Sequence, residues 1–188
     1  ETFGSAVPLF TGIKPHEQIP VQISLHRLEA DGTLTHAEWL TDAPSRQNEI
    51  VEFLRREVGP VGDLVSWNAS FEMAANMRLA RLMPEHESFL TGLNNRTVDL
   101  MDVFKLDYVD IAFGGSTSIK AVLPVLVPDL SHDAGAVQNG SGAILAWKEL
   151  IGATDPGEVA RLRSELLAYC KLDSLAMVEI YQVLAGLE

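Results

Sequence analysis

One cysteine in 188 residues, Cys170, excludes an internal disulfide and fits a reducing cytoplasm. Long apolar runs are missing as well. None approaches the ~18 residues a membrane helix needs, because Pro124 and Pro128 interrupt the most apolar stretch, Ala121 to Val127, so no membrane partner is expected. Basic residues are scarce: 14 Lys and Arg stand against 26 Asp and Glu, a net charge of −12. The broad cationic footprint of proteins that grip phosphate backbones is therefore lacking. The chain also has no Gly-x-Ser-x-Gly elbow, no P-loop and no His/Cys cluster at zinc spacing, which leaves serine-hydrolase, nucleotide-triphosphatase and zinc chemistry without a basis in the sequence.

What is there is enough to fold. A hydrophobic fraction of 47% and a charged fraction of 21% are ordinary for a folded domain, and the length suits one domain over residues 1–188. From Gly4 to Pro20 the chain is rich in Gly and Pro and reads as an ordered loop. Val21 to Leu28 alternates, with Val21, Ile23 and Leu25 on one side and Gln22, Ser24 and His26 on the other, which predicts a strand. Asp31-Gly32 turns it into a hairpin with Leu34 to Leu40. Helical spacing follows from Pro44 to Val58, a short strand at Leu64 to Trp67, and a helix from Asn68 to Met83. Further helices are expected near Glu85 to Leu93, after Asp99, from Ser116 to about Leu123, and from Ser141 to Ile151. The last helix has Asp155 as its N-cap and Pro156 at its first position, and runs towards Leu184. Strands interleaved with helices make an α/β pattern.

Two carboxylates sit where carboxylates are costly. The apolar stripe of the last helix, Val159, Leu162, Leu166, Ala176, Met177, Ile180 and Leu184, also carries Tyr169 and Asp173, one turn and about 40° apart. A core-facing Asp173 either makes a buried ion pair, caps a neighbouring helix or binds a metal ion. Glu72, in Asn68-Ala-Ser-Phe-Glu72, lies where a strand ends and a helix begins, the usual place for ligands in an α/β sheet, and shares a face with Ala75 and Leu79. It serves equally well as a first-turn glutamate that favours the helix dipole, with Asn68 as the cap. Asp99 reads as a helix cap, and Gly114 to Lys120 either as a phosphate perch at a helix start or as a capped surface helix. Cys170 and His26 carry no sign of metal or thiol chemistry.

Taken in order, Glu1-Thr2, Asn68-x-x-x-Glu72 and Tyr169-x-x-x-Asp173 resemble the three motifs of DEDD exonucleases of the tyrosine branch, with Thr97-Val-Asp99-Leu and Ser118-Ile-Lys120 similar to segments between the second and third. More narrowly, Pro20 to His26, Trp67 to Glu72, Ser118 to Pro124 and Tyr169 to Asp173 resemble an uncharacterised bacterial family, domain of unknown function 2779. The resemblance implies an RNase H-like three-layer fold, a mixed sheet flanked by helices, with its first strand largely missing from this chain. The family's first Asp would lie two residues before Glu1, so of four metal-holding carboxylates the chain supplies three: Glu1, Glu72 and Asp173. Glu72 stands where the family has Asp, one methylene shorter. The implied activity is a 3′–5′ exonuclease on DNA or RNA, working on a single-stranded end with two Mg²⁺ or Mn²⁺ ions. Tyr169 would orient the attacking water, while Asn68 and Lys120 would meet the substrate. Two Mg²⁺ ions would bring −12 to about −8, which leaves much of the phosphate grip to other domains of a longer chain or to a partner. The other reading is an RNase H-like binding or scaffolding module with little activity.

Overall fold

The computed structural model describes residues 1–130 and 140–186. It is a mixed α/β structure. Strand β1 (Thr2–Phe3) pairs antiparallel with β2 (Ile19–Pro20) across the long loop. The hairpin follows as expected: β3 (Gln22–Leu28) and β4 (Leu34–Leu40) pair antiparallel from Gln22↔Leu40 to Leu28↔Leu34. Its turn has Gly32 at φ 84, in the left-handed region, with the Thr33 amide donating to Asp31 Oδ1 at 2.9 Å. Next come α1 (Gln47–Glu57), β5 (Leu64–Ser66), α2 (Ser70–Leu82), a 3₁₀ turn at Pro84–His86 and α3 (Glu87–Asn94). Strand β6 (Thr97–Asp99), α4 (Met101–Leu106), a 3₁₀ turn at Ile111–Phe113, α5 (Ile119–Leu126), α6 (Gly140–Gly152) and α7 (Pro156–Ala185) complete the described chain. No helix among the described residues is long and apolar enough to cross a membrane.

Three expectations need correcting. Among the described residues the strands form three separate two-stranded sheets, β1-β2, β3-β4 and β5-β6, in place of one mixed sheet. β1 contributes two paired residues, too few to hydrogen-bond the hairpin and β5 into one surface. β5 pairs parallel with β6, in register Leu64↔Thr97 and Ser66↔Asp99. Thr97-Val-Asp99 had read as a helix opening, because three residues are too few for strand alternation to declare itself. And α5 runs through Pro124 to Leu126, beginning at Ser118, whose hydroxyl caps the Lys120 amide.

Three clusters of buried side chains hold the elements together. Ile50, Val51 and Leu54 of α1 meet Leu79 of α2 and Leu90 of α3, with Ile23 and Leu25 of β3 against them. On the other face of the hairpin α7 lies across β3. There Gln22, 1% exposed, donates through Nε2 to the Leu166 carbonyl at 2.7 Å. The hairpin is thus layered between α1 and α7, as its alternation requires. A second cluster gathers Phe3, Ile19, Val21, Trp147 of α6, and Leu162, Leu166 and Tyr169 of α7. Trp147 packs on Phe3 at 4.6 Å between ring centroids and donates Nε1–H to the Thr41 carbonyl at 2.7 Å. The third joins Phe104, Phe113, Val122 and Leu123 to Ala176 and Ile180, further along α7.

Between hairpin and α7 runs a polar seam. Ser174 Oγ lies 2.7 Å from Ser24 Oγ and 2.8 Å from His26 Nδ1, and Ser24 Oγ lies 2.8 Å from His36 Nε2. The two imidazole centroids lie 4.4 Å apart, the rings tilted by 34°. Burial, then the neighbouring His36 and Lys171, pulls His26 down to about 4, and burial lowers His36 despite Glu38 beside it. Unfolded, His26 titrates near its ordinary value of about 6.5. The fold therefore favours the neutral ring: the stability this contributes is complete above pH about 6.5 and is lost as pH falls towards 4. Thermal melts should show the wild type losing more melting temperature between about pH 7 and about pH 4.5 than His26→Gln does; equal losses would refute the seam's role in acid sensitivity.

Candidate functional site

The junction of β5 and α2 is shaped by one residue in an unusual conformation. Asn68 has φ 67, left-handed, which costs a residue with a side chain about 1–2 kcal/mol. Hydrogen bonds on three sides offset that strain. The Asn68 amide donates to Asp99 Oδ1 at 2.9 Å, its carbonyl accepts from the Phe71 amide at 3.0 Å, and its Oδ1 accepts from the Ser70 hydroxyl at 2.9 Å. Asn68 therefore does not cap α2 with its side chain. Its Nδ2 is what it can present outward.

Glu72 follows in the first turn of α2. The helical face it shares with Ala75 and Leu79 predicted an inward side chain, yet Glu72 keeps solvent access. Its lost hydration first, and then the charges of Asp99 and Glu1, push its carboxyl above the usual range.

Glu1 is fixed through its backbone. Its nitrogen donates to the Gln22 carbonyl at 2.7 Å and its carbonyl accepts from the Val21 amide at 2.9 Å. Its carboxylate faces the start of α6, where a Cβ on Gly140 would lie 3.9 Å from both oxygens. On α7, Tyr169 is buried at 8% exposure, with the Asp173 carboxylate one turn on close enough for its charge to act on the phenol. Burial, then the negative charges of Asp173 and Glu1, raises the phenol far above its ordinary value, so Tyr169 is a hydrogen-bonding group and not a base. Lys120 Nζ stands 6.0 Å from the centre of the Tyr169 ring. Beside it the Cys170 thiol is pushed up to about 11, mainly by burial, and stays protonated.

Glu1 is the common neighbour: its charge acts on Glu72, Tyr169 and Cys170, while that of Asp173 acts on Tyr169 and Cys170. The charge of Glu1 thus reaches both Glu72 and Tyr169, and the Tyr169 ring in turn neighbours Lys120. Among the described residues no group of three or more His, Cys, Asp or Glu is placed to hold a metal ion as it stands. The chemistry of the donors, three carboxylates with hard oxygens and a shared negative potential, fits Mg²⁺ or Mn²⁺. Two features escaped the sequence reading. Asp99 does cap α4, accepting from the Met101 amide at 3.1 Å, but the same oxygen also holds Asn68. Nothing in the sequence pointed to Gly140 beside Glu1.

A protein-family model described as Domain of unknown function (DUF2779) matches residues 1–118. The matched stretch contains Glu1, Asn68 and Glu72; Lys120, Tyr169 and Asp173 lie beyond it. No curated protein and no solved structure matches the chain.

An ionised Glu72 with a raised pKa is a liability to the folded state above its titration range. Glu72→Gln should therefore melt at a higher temperature than the wild type at about pH 7 in chelator, with the gain vanishing near pH 4, where the carboxyl is largely protonated in both states. A variant that melts lower at neutral pH would show that Glu72 is held by favourable contacts instead.

Proposed function

We propose that this chain, which belongs to the DUF2779 family of domains of unknown function, is a divalent-metal-dependent nuclease domain that hydrolyses phosphodiester bonds of DNA or RNA, 3′ to 5′ from a single-stranded end. The reading rests on one observation. Segments as far apart as Glu1, Glu72 and Tyr169, which resemble the three DEDD motifs in their order, are linked through the charge of Glu1, and Lys120 Nζ stands 6.0 Å from the centre of the Tyr169 ring.

In this reading Glu1 and Asp173 hold one cation and Glu72 holds or orients a second. Bound there, the cations neutralise the phosphodiester and make a water acidic enough to attack. The chain's own residues do the rest. Tyr169, its phenol kept protonated by burial and by the charges of Asp173 and Glu1, would hydrogen-bond the attacking water and fix its direction. Lys120 offers a cation to a phosphate oxygen, and Asn68 an amide N–H₂. Glu1, Asp173 and Glu72 supply no affinity for a polyanion by themselves. With a net charge of −12, grip on the nucleic acid comes from the cations and from other domains of a longer chain or a partner. The second reading, a weakly active binding or scaffolding module, is favoured by the longer Glu72 and by carboxylates not gathered as a three-ligand set.

Release of nucleotides from end-labelled single-stranded DNA and RNA, with Mg²⁺ or Mn²⁺ and in chelator, tests this on the full-length protein. Asp173→Ala should lower the rate by about 100-fold or more while leaving the fold intact, since removing one of several repelling carboxylates relieves strain without metal. Tyr169→Phe should keep Mn²⁺ affinity and slow turnover by about 10- to 100-fold, the cost of a misdirected water. Cleavage that survives chelator or the Asp173 substitution sinks the assignment, and no cleavage of any substrate favours the scaffold.

A further inference from the structure

We infer that Asp99 is a positioning residue of this site: it sets the place of Glu72 by holding the Asn68 backbone, through the geometry of its carboxylate and not through its charge. The inference rests on the reading of Glu72 as a metal-holding residue.

The β5-β6 ladder, with Ser66 opposite Asp99 and the Leu100 amide donating to the Ser66 carbonyl at 2.8 Å, brings Asp99 to the end of β5. A single oxygen there, Oδ1, accepts two backbone N–H groups from segments 33 residues apart, Asn68 at 2.9 Å and Met101 at 3.1 Å. The Asp99 side chain is 17% exposed, and its bond to Met101 is partly buried while that to Asn68 lies at the surface. Its other oxygen faces Lys105 Nζ at 3.9 Å, which also pairs with Asp102 at 2.9 Å. The charge of Asp99 is thus partly matched, and what no neighbour duplicates is an acceptor aimed at the Asn68 amide. That amide belongs to the residue whose left-handed φ of 67 reverses the chain between β5 and α2. Without the acceptor a non-glycine residue drifts out of that region. The first turn of α2, which carries Glu72 four residues on, turns with it. A shift of about 1 Å is enough to degrade a metal site, and supporting residues of this kind change metal affinity by about 10- to 100-fold.

Two conservative variants separate geometry from charge. Asp99→Asn keeps an acceptor at the same reach and loses the charge. Asp99→Glu keeps the charge and moves the acceptor by one methylene. In the full-length protein, Mn²⁺ affinity by calorimetry should stay within about 3-fold of wild type for Asp99→Asn and fall about 10-fold or more for Asp99→Glu. Adding Asn68→Gly to Asp99→Glu should recover most of the loss, because glycine adopts the left-handed conformation without strain. Amide hydrogen exchange at residue 68 gives a readout independent of metal: protection persists in Asp99→Asn and is lost in Asp99→Glu. Full affinity and protection in Asp99→Glu, or equal losses in both variants, overturn the inference. If wild type and Glu72→Gln bind Mn²⁺ alike, the metal reading of Glu72 has failed instead, and the exchange pattern at residue 68 still decides whether Asp99 holds the turn.

Discussion

The segments that carry Glu1, Tyr169 and Asp173 depend on one contact, the seam between α7 and the hairpin. Gln22 clasps the Leu166 carbonyl, Ser174 reaches Ser24 and His26, and apolar side chains fill the space beside them. Glu1 is tied by its backbone to Val21 and Gln22, at the root of that same hairpin. Tyr169 and Asp173 lie on α7 between Leu166 and Ser174. Both halves of the candidate site are therefore fastened to one strand, β3, and their separation is set by hydrogen bonds that charge repulsion cannot easily stretch. Glu72, on α2, is carried by a different attachment, the strained turn at Asn68.

What could be read from the sequence follows from how far each signal reaches along the chain. The alternation of Gln22 to Leu28 is strong because one face must meet α1 and the other α7, and the structure fills both, while Val21 joins the cluster around Trp147. Asp155 capping the Glu158 amide at 2.8 Å is a contact three residues long and was equally plain. Pairing of β5 with β6 joins residues about thirty apart through two three-residue strands, and nothing local announces it. The same holds for the sheet as a whole: which strands share hydrogen bonds is a non-local matter, and three pairs stand where one sheet was expected.

The site was legible in its members more than in their surroundings. Carboxylates on apolar stripes are conspicuous because burial of charge is costly, which is why Asp173 and Glu72 stood out. Their exposure was not legible. Helical periodicity assigns a direction and not a depth, and Glu72 ends exposed. Asp99 was visible as a cap, but one oxygen serving two amides depends on β6 ending beside β5, which capping patterns do not encode. The polar seam of Ser24, His26, His36 and Ser174 was hidden for the same reason, being assembled from two elements about 150 residues apart.

Helix α7 has 30 residues, a rod of about 45 Å. Leu162, Leu166 and Tyr169 serve the cluster around Trp147, while Ala176 and Ile180, two to three turns later, serve the cluster around Phe104 and Val122. One uninterrupted hydrogen-bonded rod thus belongs to two cores, and the Tyr169–Asp173 turn is the span between them. Neither core can loosen without releasing one end of the rod. This makes the two cores a single cooperative unit in which damage to packing near Phe104 is felt at residues that touch neither Phe104 nor its neighbours.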